Sequence, residues 1–219
     1  MTETKIIGII WDFGNILASF DHLKACKRLA KYSAFSPEDI FKKLFGGENA
    51  PEKLHETGQL SPQEFFLLVK KLAVLSDDLS FQMFSGIWGD ILQENSGVSA
   101  LLDRIQPGVK QCILSNTDPI HWSAIEQLPV MKKHFSNSAM LIRSYASGTR
   151  KPDVKIYQDA LACLGFNDKD IEHVLYVDDI AEYREVFERL GGYTLSYDCS
   201  KDDLAQLETG LAKFGVLSA

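Results

Sequence analysis

Four short segments of this chain carry residue types suited to phosphate chemistry: Ile9-Ile10-Trp11-Asp12-Phe13-Gly14-Asn15, Cys112-Ile113-Leu114-Ser115-Asn116, Arg150-Lys151-Pro152-Asp153 and Val174-Leu175-Tyr176-Val177-Asp178-Asp179. A carboxylate nucleophile, a hydroxyl, an ammonium and an acid pair able to hold a metal are the parts needed to pass a phosphoryl group through an aspartyl-phosphate. Asp12 is the candidate nucleophile, its carboxylate attacking phosphorus to form an acyl phosphate that water then hydrolyses. Ser115 and Asn116 are candidate phosphate-binding residues, a hydroxyl and backbone N–H groups donating to phosphoryl oxygens as charge shifts in the transition state. Lys151 joins both sets, because an ammonium that neutralises Asp12 and the phosphate lets two anions approach. Asp178-Asp179 puts two negative charges after a very apolar run, a costly arrangement without a cation. Oxygen ligands and a phosphate partner favour Mg²⁺ over Zn²⁺.

Taken singly, each residue has an ordinary reading. An Asp or a Ser-Asn pair after a strand is a frequent turn former, and a lone Lys is usually solvated. What selects chemistry is the presence of all four segments in one order. Asp118 suits the start of a helix with Pro119 equally well and is left out of the catalytic set. The histidines at 22, 55, 121, 134 and 173 share no metal-binding spacing, so surface or core positions are expected for them. Asp21, His55 and Glu56 are candidate polar contacts, whereas Phe65, Phe66, Phe81, Phe84 and Trp88 sit at helical spacing that predicts mostly core.

The elements that must position these residues follow from pattern. Ile6 to Trp11 is short and β-branched, as a buried parallel strand should be. The stretch from there to about Ile105 shows helical spacing, with helix starts at Ser36-Pro37-Glu38-Asp39 and at Ser61-Pro62-Gln63-Glu64, where Glu64 completes a capping box. From Lys110 onward, strands at 111–114, 139–142, 173–177 and 193–197 alternate with helices near 119–129, 153–164 and 181–190. Such alternation specifies a parallel sheet covered by helices on both faces. Ligands bind beyond the carboxyl ends of such strands, where Asp12, Ser115 and Asp178-Asp179 all fall.

The order and identity of the four segments resemble the motifs of the haloacid dehalogenase-like superfamily of phosphatases: a nucleophilic Asp, a Ser or Thr, a Lys before a helix, and a late acid pair. Within it, Asp12-Phe13-Gly14-Asn15-Ile16-Leu17 and Glu56-x-Gly58-x-Leu60-Ser61-x-x-Glu64-Phe65 are most similar to the subgroup containing bacterial α-glucose-1-phosphate phosphatase and the N-terminal phosphatase domain of soluble epoxide hydrolase. The resemblance implies an α/β fold, a Rossmann-like parallel sheet with helices on both faces and an inserted α-helical cap. Residues 1–17 and 104–219 would form the core domain and 18–103 the cap. It further implies Mg²⁺ bound by Asp12, the Gly14 carbonyl and Asp179, with Asp178 behind them holding metal-bound water or Lys151. Gly14 departs from the familiar Asp-x-Asp-Gly-Thr pattern, whose second Asp protonates the leaving alcohol. Proton donation by a placed group is worth on the order of 10²–10⁴-fold, so ordinary alkyl phosphates are expected to be poor substrates and anomeric sugar phosphates better ones. Relatives often carry an Asn and a Gly-Ala pair in the helix after the acid pair; here Tyr183 and Val186-Phe187 stand there.

With 219 residues and 45% hydrophobic content, the chain can bury a full core. A formal charge of -7 without a basic block excludes nucleic acid and anionic membrane surfaces as expected partners. Cys26, Cys112, Cys163 and Cys199 show no CxxC pairing and suit reduced structural thiols, Cys112 and Cys163 being expected to be buried in apolar segments; the N-terminus has no long apolar stretch, so a soluble, cytoplasmic protein is expected. The function expected is hydrolysis of a small phosphorylated metabolite. A phosphotransferase such as a phosphomutase, and a non-catalytic regulatory protein of the same fold, remain open.

Overall fold

A computed structural model describes residues 5–218 of the chain. The first strand, β1 (Gly8–Trp11), is buried along its whole length. A short ribbon strand follows, β2 (Ala18–Phe20), and then a run of helices: α1 (His22–Leu29), α2 (Pro37–Phe45), α3 (Pro51–Glu56), α4 (Pro62–Leu72) and α5 (Phe81–Gly89). Strand β3 (Leu92–Glu94) returns antiparallel to β2, and α6 (Val98–Leu102) leads into the second half of the chain. There β4 (Lys110–Ser115), α7 (Pro119–Ile125), α8 (Pro129–His134), β5 (Leu141–Arg143), α9 (Ser144–Ser147), α10 (Val154–Cys163), β6 (Val174–Asp178), α11 (Ala181–Arg189), β7 (Tyr193–Ser196) and α12 (Leu204–Lys213) alternate.

Five strands form one sheet in the order β5-β4-β1-β6-β7, with every neighbouring pair parallel. The period-two alternation of side chains divides each central strand between two cores. Ile9, Trp11, Ile113, Leu175 and Val177 face α6, α7, α8 and α12, whereas Ile10, Cys112, Leu114, Val174 and Tyr176 face α10 and α11. This is the Rossmann-like α/β architecture expected from the alternation. A third apolar cluster, with Phe65, Phe84 and Trp88 at its centre, is built from α1, α2, α4 and α5, and Ile120 of α7 joins it from the sheet side. No helix among the described residues is long and apolar enough to cross a membrane.

Local chemistry sets the helix starts as expected. Ser36 accepts from the Asp39 N–H at 3.1 Å; Ser61 accepts from the Glu64 N–H at 3.3 Å while Glu64 accepts from the Ser61 N–H at 2.9 Å. Four expectations need correction. The stretch between the first two segments is not wholly helical, because the β2–β3 ribbon interrupts it; strands of three residues are too short to show a period. The helix expected near 119–129 is two helices, since Pro129 starts α8 after a break at Leu128. Strand β5 begins at Leu141, after a 3₁₀ turn at Ser138–Met140 whose first N–H groups are capped by Asn137. Cys163 is only partly buried, although Cys26 and Cys112 are fully so.

Candidate active site

The three central strands end at one edge of the sheet and deliver the candidate residues there. Asp12 follows β1, Ser115 is the last residue of β4, and Asp178 is the last of β6, with Asp179 next to it. Lys151 arrives from the turn between α9 and α10 and is 1% exposed. Its Nζ donates to Asp12 Oδ1 at 2.8 Å and to Asp178 Oδ2 at 2.8 Å. The helix behind this turn starts at Val154, one residue after the expected 153, because Asp153 is the capping residue, accepting from the Lys155 N–H at 2.8 Å.

The two acids of the pair have different surroundings. Asp178 Oδ2 also accepts from the Tyr176 hydroxyl, and its Oδ1 accepts from the Ile180 N–H at 2.7 Å. Its carboxylate is therefore engaged by protein donors on both oxygens, which suits it to orienting Lys151. Among the described residues Asp179 accepts one bond, from Asn15 Nδ2 at 3.0 Å. Asp12 Oδ1 takes the Phe13 N–H at 2.7 Å as well as Lys151, so among the described residues Oδ2 is left without a hydrogen bond and open for chemistry. The Gly14 carbonyl likewise accepts no hydrogen bond among the described residues.

Charge is crowded at this edge. Asp12, Asp178 and Asp179 bring carboxylate oxygens within 4.8 Å of one another, the only such group among the described residues. Burial drives the Asp12 carboxyl from its usual 3.8 up to about 7; Lys151 pulls it down, and Asp178 and Asp179 push it up. Asp179 is raised by burial and by Asp178, against its bond from Asn15. Burial works against the Lys151 ammonium, yet Asp12 and Asp178 more than offset this and hold it well above its ordinary value. One ammonium among three carboxylates leaves an excess of negative charge, all of it on oxygen, and this donor set fits a hard divalent cation.

The side chain of Asn116 has a task of its own, separate from the backbone N–H role expected of this residue. Its Nδ2 donates to the Lys151 carbonyl at 3.2 Å and its Oδ1 accepts from the Lys151 N–H at 2.9 Å. The side chain thus clamps the lysine turn, leaving its backbone for a phosphate, while Ser115 Oγ stays on the cleft wall. Tyr183 closes the same corner, with Lys151 Nζ lying 5.1 Å from its ring centre. The bulk of Val186 and Phe187 packs into the sheet core, Phe187 against Tyr176 at 5.3 Å, and does not intrude on the acids.

A cavity of about 200 Å³ opens over Asp12, Ser115 and Lys151, and its outer wall comes from elements before β4. Phe20, His22, Glu52 and Glu56 line it, as do His121 and Arg150. Arg150 Nη2 pairs with Glu56 Oε2 at 3.1 Å, so Glu56 is a cleft residue; Asp21 instead caps α1, and His55 is wholly buried. Of the aromatics at helical spacing, Phe65, Phe66, Phe84 and Trp88 are core, and the cleft is instead lined by Phe13, Phe20 and Tyr183.

Sequence reasoning missed the surroundings of Asp118. Its carboxylate caps α7, accepting from the Ile120 and His121 N–H groups at 2.8 and 2.9 Å. It also accepts from Trp88 Nε1 at 3.1 Å, and lies 2.6 Å from His121 Nδ1 and 3.4 Å from His55 Nε2. Burial disfavours charge on Asp118, but the His121 and His55 rings with their hydrogen bonds hold its carboxyl well below the usual range. No linear spacing signals this cluster, because His22, His55 and His121 come from three separate parts of the chain. Asn15 was also missed as a partner of the acid pair; the Asp-x-Gly-Asn arrangement was its only signal.

No protein-family model matches the sequence. The fold is similar to that of a HAD-family enzyme of Bacteroides thetaiotaomicron crystallised with magnesium and inorganic phosphate, at 20% identity and a TM-score of 0.72, covering 92% of this chain and 98% of that one. A predicted HAD-like family hydrolase of Porphyromonas gingivalis matches at 21% identity and a TM-score of 0.76, over 95% of this chain and 98% of that one. The L-2-haloacid dehalogenase of Xanthobacter autotrophicus is more distant, with 17% identity, a TM-score of 0.57, and coverage of 95% and 88%. What this chain shares with all three, over nearly its whole length, is the haloacid dehalogenase-like fold.

Proposed function

We propose that this chain is a Mg²⁺-dependent phosphatase that hydrolyses a small phosphorylated metabolite through a phosphorylated Asp12. The observation that carries this reading is the meeting of Asp12, Asp178 and Asp179 within 4.8 Å, balanced by a buried Lys151 at 2.8 Å from two of them. Attack on carbon with loss of halide has no use for a dication, so the three-acid group favours phosphoryl transfer over the dehalogenation named for one of the structural relatives. The magnesium and phosphate bound by another relative support the same choice.

Asp12, Asp179 and the Gly14 carbonyl would hold the ion, which when bound offsets the charge of phosphate and carboxylate. Asp12 Oδ2 attacks phosphorus while Lys151, fixed by Asp178 and Asn116, compensates the anions. Ser115 Oγ donates to a phosphoryl oxygen, and water then hydrolyses the acyl phosphate. The elements between residues 18 and 103 act as the cap, covering the reacting centre and selecting the leaving group through Phe20, Glu52, Glu56 and His22. A cavity near 200 Å³ suits a phosphate with a compact leaving group.

The test is release of inorganic phosphate from a panel of phosphorylated metabolites, with isomer formation followed alongside to detect a phosphomutase. Turnover is expected to require Mg²⁺ and to fall at least about a thousandfold in Asp12→Asn. Equal rates for wild type and Asp12→Asn, or full activity in excess chelator, would refute the reading.

A further inference from the structure

Gly14 leaves the candidate chemistry without a proton donor for the leaving group, and the structure shows which side chain stands where such an acid would be. A Cβ built on Gly14 would lie 2.6 Å from Phe20 Cε1, so the ring of Phe20 fills the space where a side chain would stand. That ring packs edge-on against His22, with centroids 5.1 Å apart, and His22 lies 5.4 Å from His121. The imidazoles approached from position 14 are therefore His22 and His121, and both line the cleft with Asp12.

We propose that His121, oriented by Asp118, is the proton donor to the leaving group in place of the acid missing at Gly14. This rests on the phosphatase reading and deepens it, because a donor extends the substrate class from activated esters to ordinary alkyl phosphates. His121 is 6% exposed, and its Nδ1 lies 2.6 Å from Asp118 Oδ2. That contact fixes the ring so that Nε2 is the nitrogen left for a ligand, and an ionised Asp118 compensates the charge of the doubly protonated ring. Nε2 is buried and makes no hydrogen bond among the described residues, which is what a group reserved for a substrate oxygen requires. Trp88 Nε1 donates to that same Oδ2, and the Ile120 and His121 N–H groups donate to Oδ1, so Asp118 is held by both the helical layer and the sheet half.

Two neighbours are rivals. Burial and the nearby His121 push His22 down to about 3, so its ring is neutral at working pH and lacks the proton to give. Glu56 carries a proton more readily, since burial and Glu52 raise its carboxyl well above the usual range against the pull of Arg150. Yet its Oε2 is paired with Arg150 Nη2 at 3.1 Å, beside the lysine turn, which commits the carboxyl to an ion pair.

The step balances. Asp12 Oδ2 bonds to phosphorus as the bond from phosphorus to the ester oxygen breaks, and the His121 Nε2 proton passes to that oxygen, releasing an alcohol. Neutral His121 then takes a proton from the water that attacks phospho-Asp12, which frees inorganic phosphate and restores both residues.

The experiment measures Mg²⁺-dependent turnover across phosphate esters of graded leaving-group acidity, from 4-nitrophenyl phosphate to primary alkyl phosphates, for wild type, His121→Gln and Glu56→Gln. Wild type is expected to show a shallow dependence. His121→Gln is expected to lose about 10²–10⁴-fold on alkyl phosphates and tenfold or less on nitrophenyl phosphate. An equal loss on all esters, or a leaving-group-dependent loss in Glu56→Gln alone, overturns the assignment. Should His121→Gln fail to fold, the wild-type slope decides, because a steep dependence means that no donor acts. Absence of Mg²⁺-dependent release from nitrophenyl phosphate by wild type removes the phosphatase reading itself, and with it the donor. A steep slope with nitrophenyl activity intact removes the donor alone.

Discussion

At the scale of single residues, the site is organised by which oxygen of each carboxylate is already taken. Asp12 spends Oδ1 on Phe13 and Lys151, and Asp178 spends both oxygens on protein donors, so the free valences belong to Asp12 Oδ2 and Asp179. Position 14 tests how far this arrangement tolerates the acid it lacks. Gly14→Asp alone meets the Phe20 ring at 2.6 Å, and although Phe20 is 40% exposed and its ring can swing, the strand carrying it is paired to β3. The single variant is therefore expected to turn over alkyl phosphates more slowly than wild type, because the ring must be displaced, and Phe20→Ala added to it is expected to restore most of that loss. Steady-state rates on one alkyl phosphate decide it. A Gly14→Asp protein that is improved without any change at Phe20 would show that the ring is no obstacle.

At the scale of elements, the joint between the helical layer and the sheet half is polar and titratable. His22, at the start of α1, packs at a tilt against Phe45, ring centres 4.7 Å apart, and lies near Trp88 and His121. Its ring falls from the ordinary 6.5 to about 3 in the folded chain, through burial and the neighbouring His121, with Asp118 opposing. Between those values the unfolded chain binds a proton that the folded chain refuses, so stability rises with pH through this window and is lost as pH drops from 6.5 toward 3. The contribution is at most about 1.4 kcal/mol per pH unit. Thermal melts of wild type and His22→Gln at intervals from pH 7 to pH 4 are expected to show a flatter pH slope in the variant. Parallel curves would mean that His22 is solvated and ordinary.

For the whole molecule, a sheet edge carrying three converging carboxylates and one ammonium has stability to gain from a cation. A ligand at a hundred times its dissociation constant adds about 2.7 kcal/mol, and for a chain of this size each kcal/mol is worth roughly 2–4 °C in melting temperature. Saturating Mg²⁺ is thus expected to raise the melting temperature by about 5–10 °C in wild type and far less in Asp179→Asn. The same rise in both proteins would place the ion elsewhere. Because the measurement needs no substrate, it tests the ion site independently of turnover.

What the sequence determined by itself was what short-range patterns encode. A continuous apolar β1, the β–α alternation after Lys110, and the caps at Ser36 and Ser61 are local signals, and they were enough to specify a parallel sheet with Asp12, Ser115 and Asp178 at its carboxyl edge. Lys151 was legible as a candidate from its motif, but not as a fully buried group pinned between two acids. Only the tertiary structure decided that Asn116 clamps the lysine turn, that Phe20 occupies the space beside Gly14, and that His22, His55 and His121 gather around Asp118 and Trp88. These contacts join residues tens of positions apart on elements with no common period. The packing of the helical layer on the sheet brings them together, and the residues themselves carry no local mark of their partners.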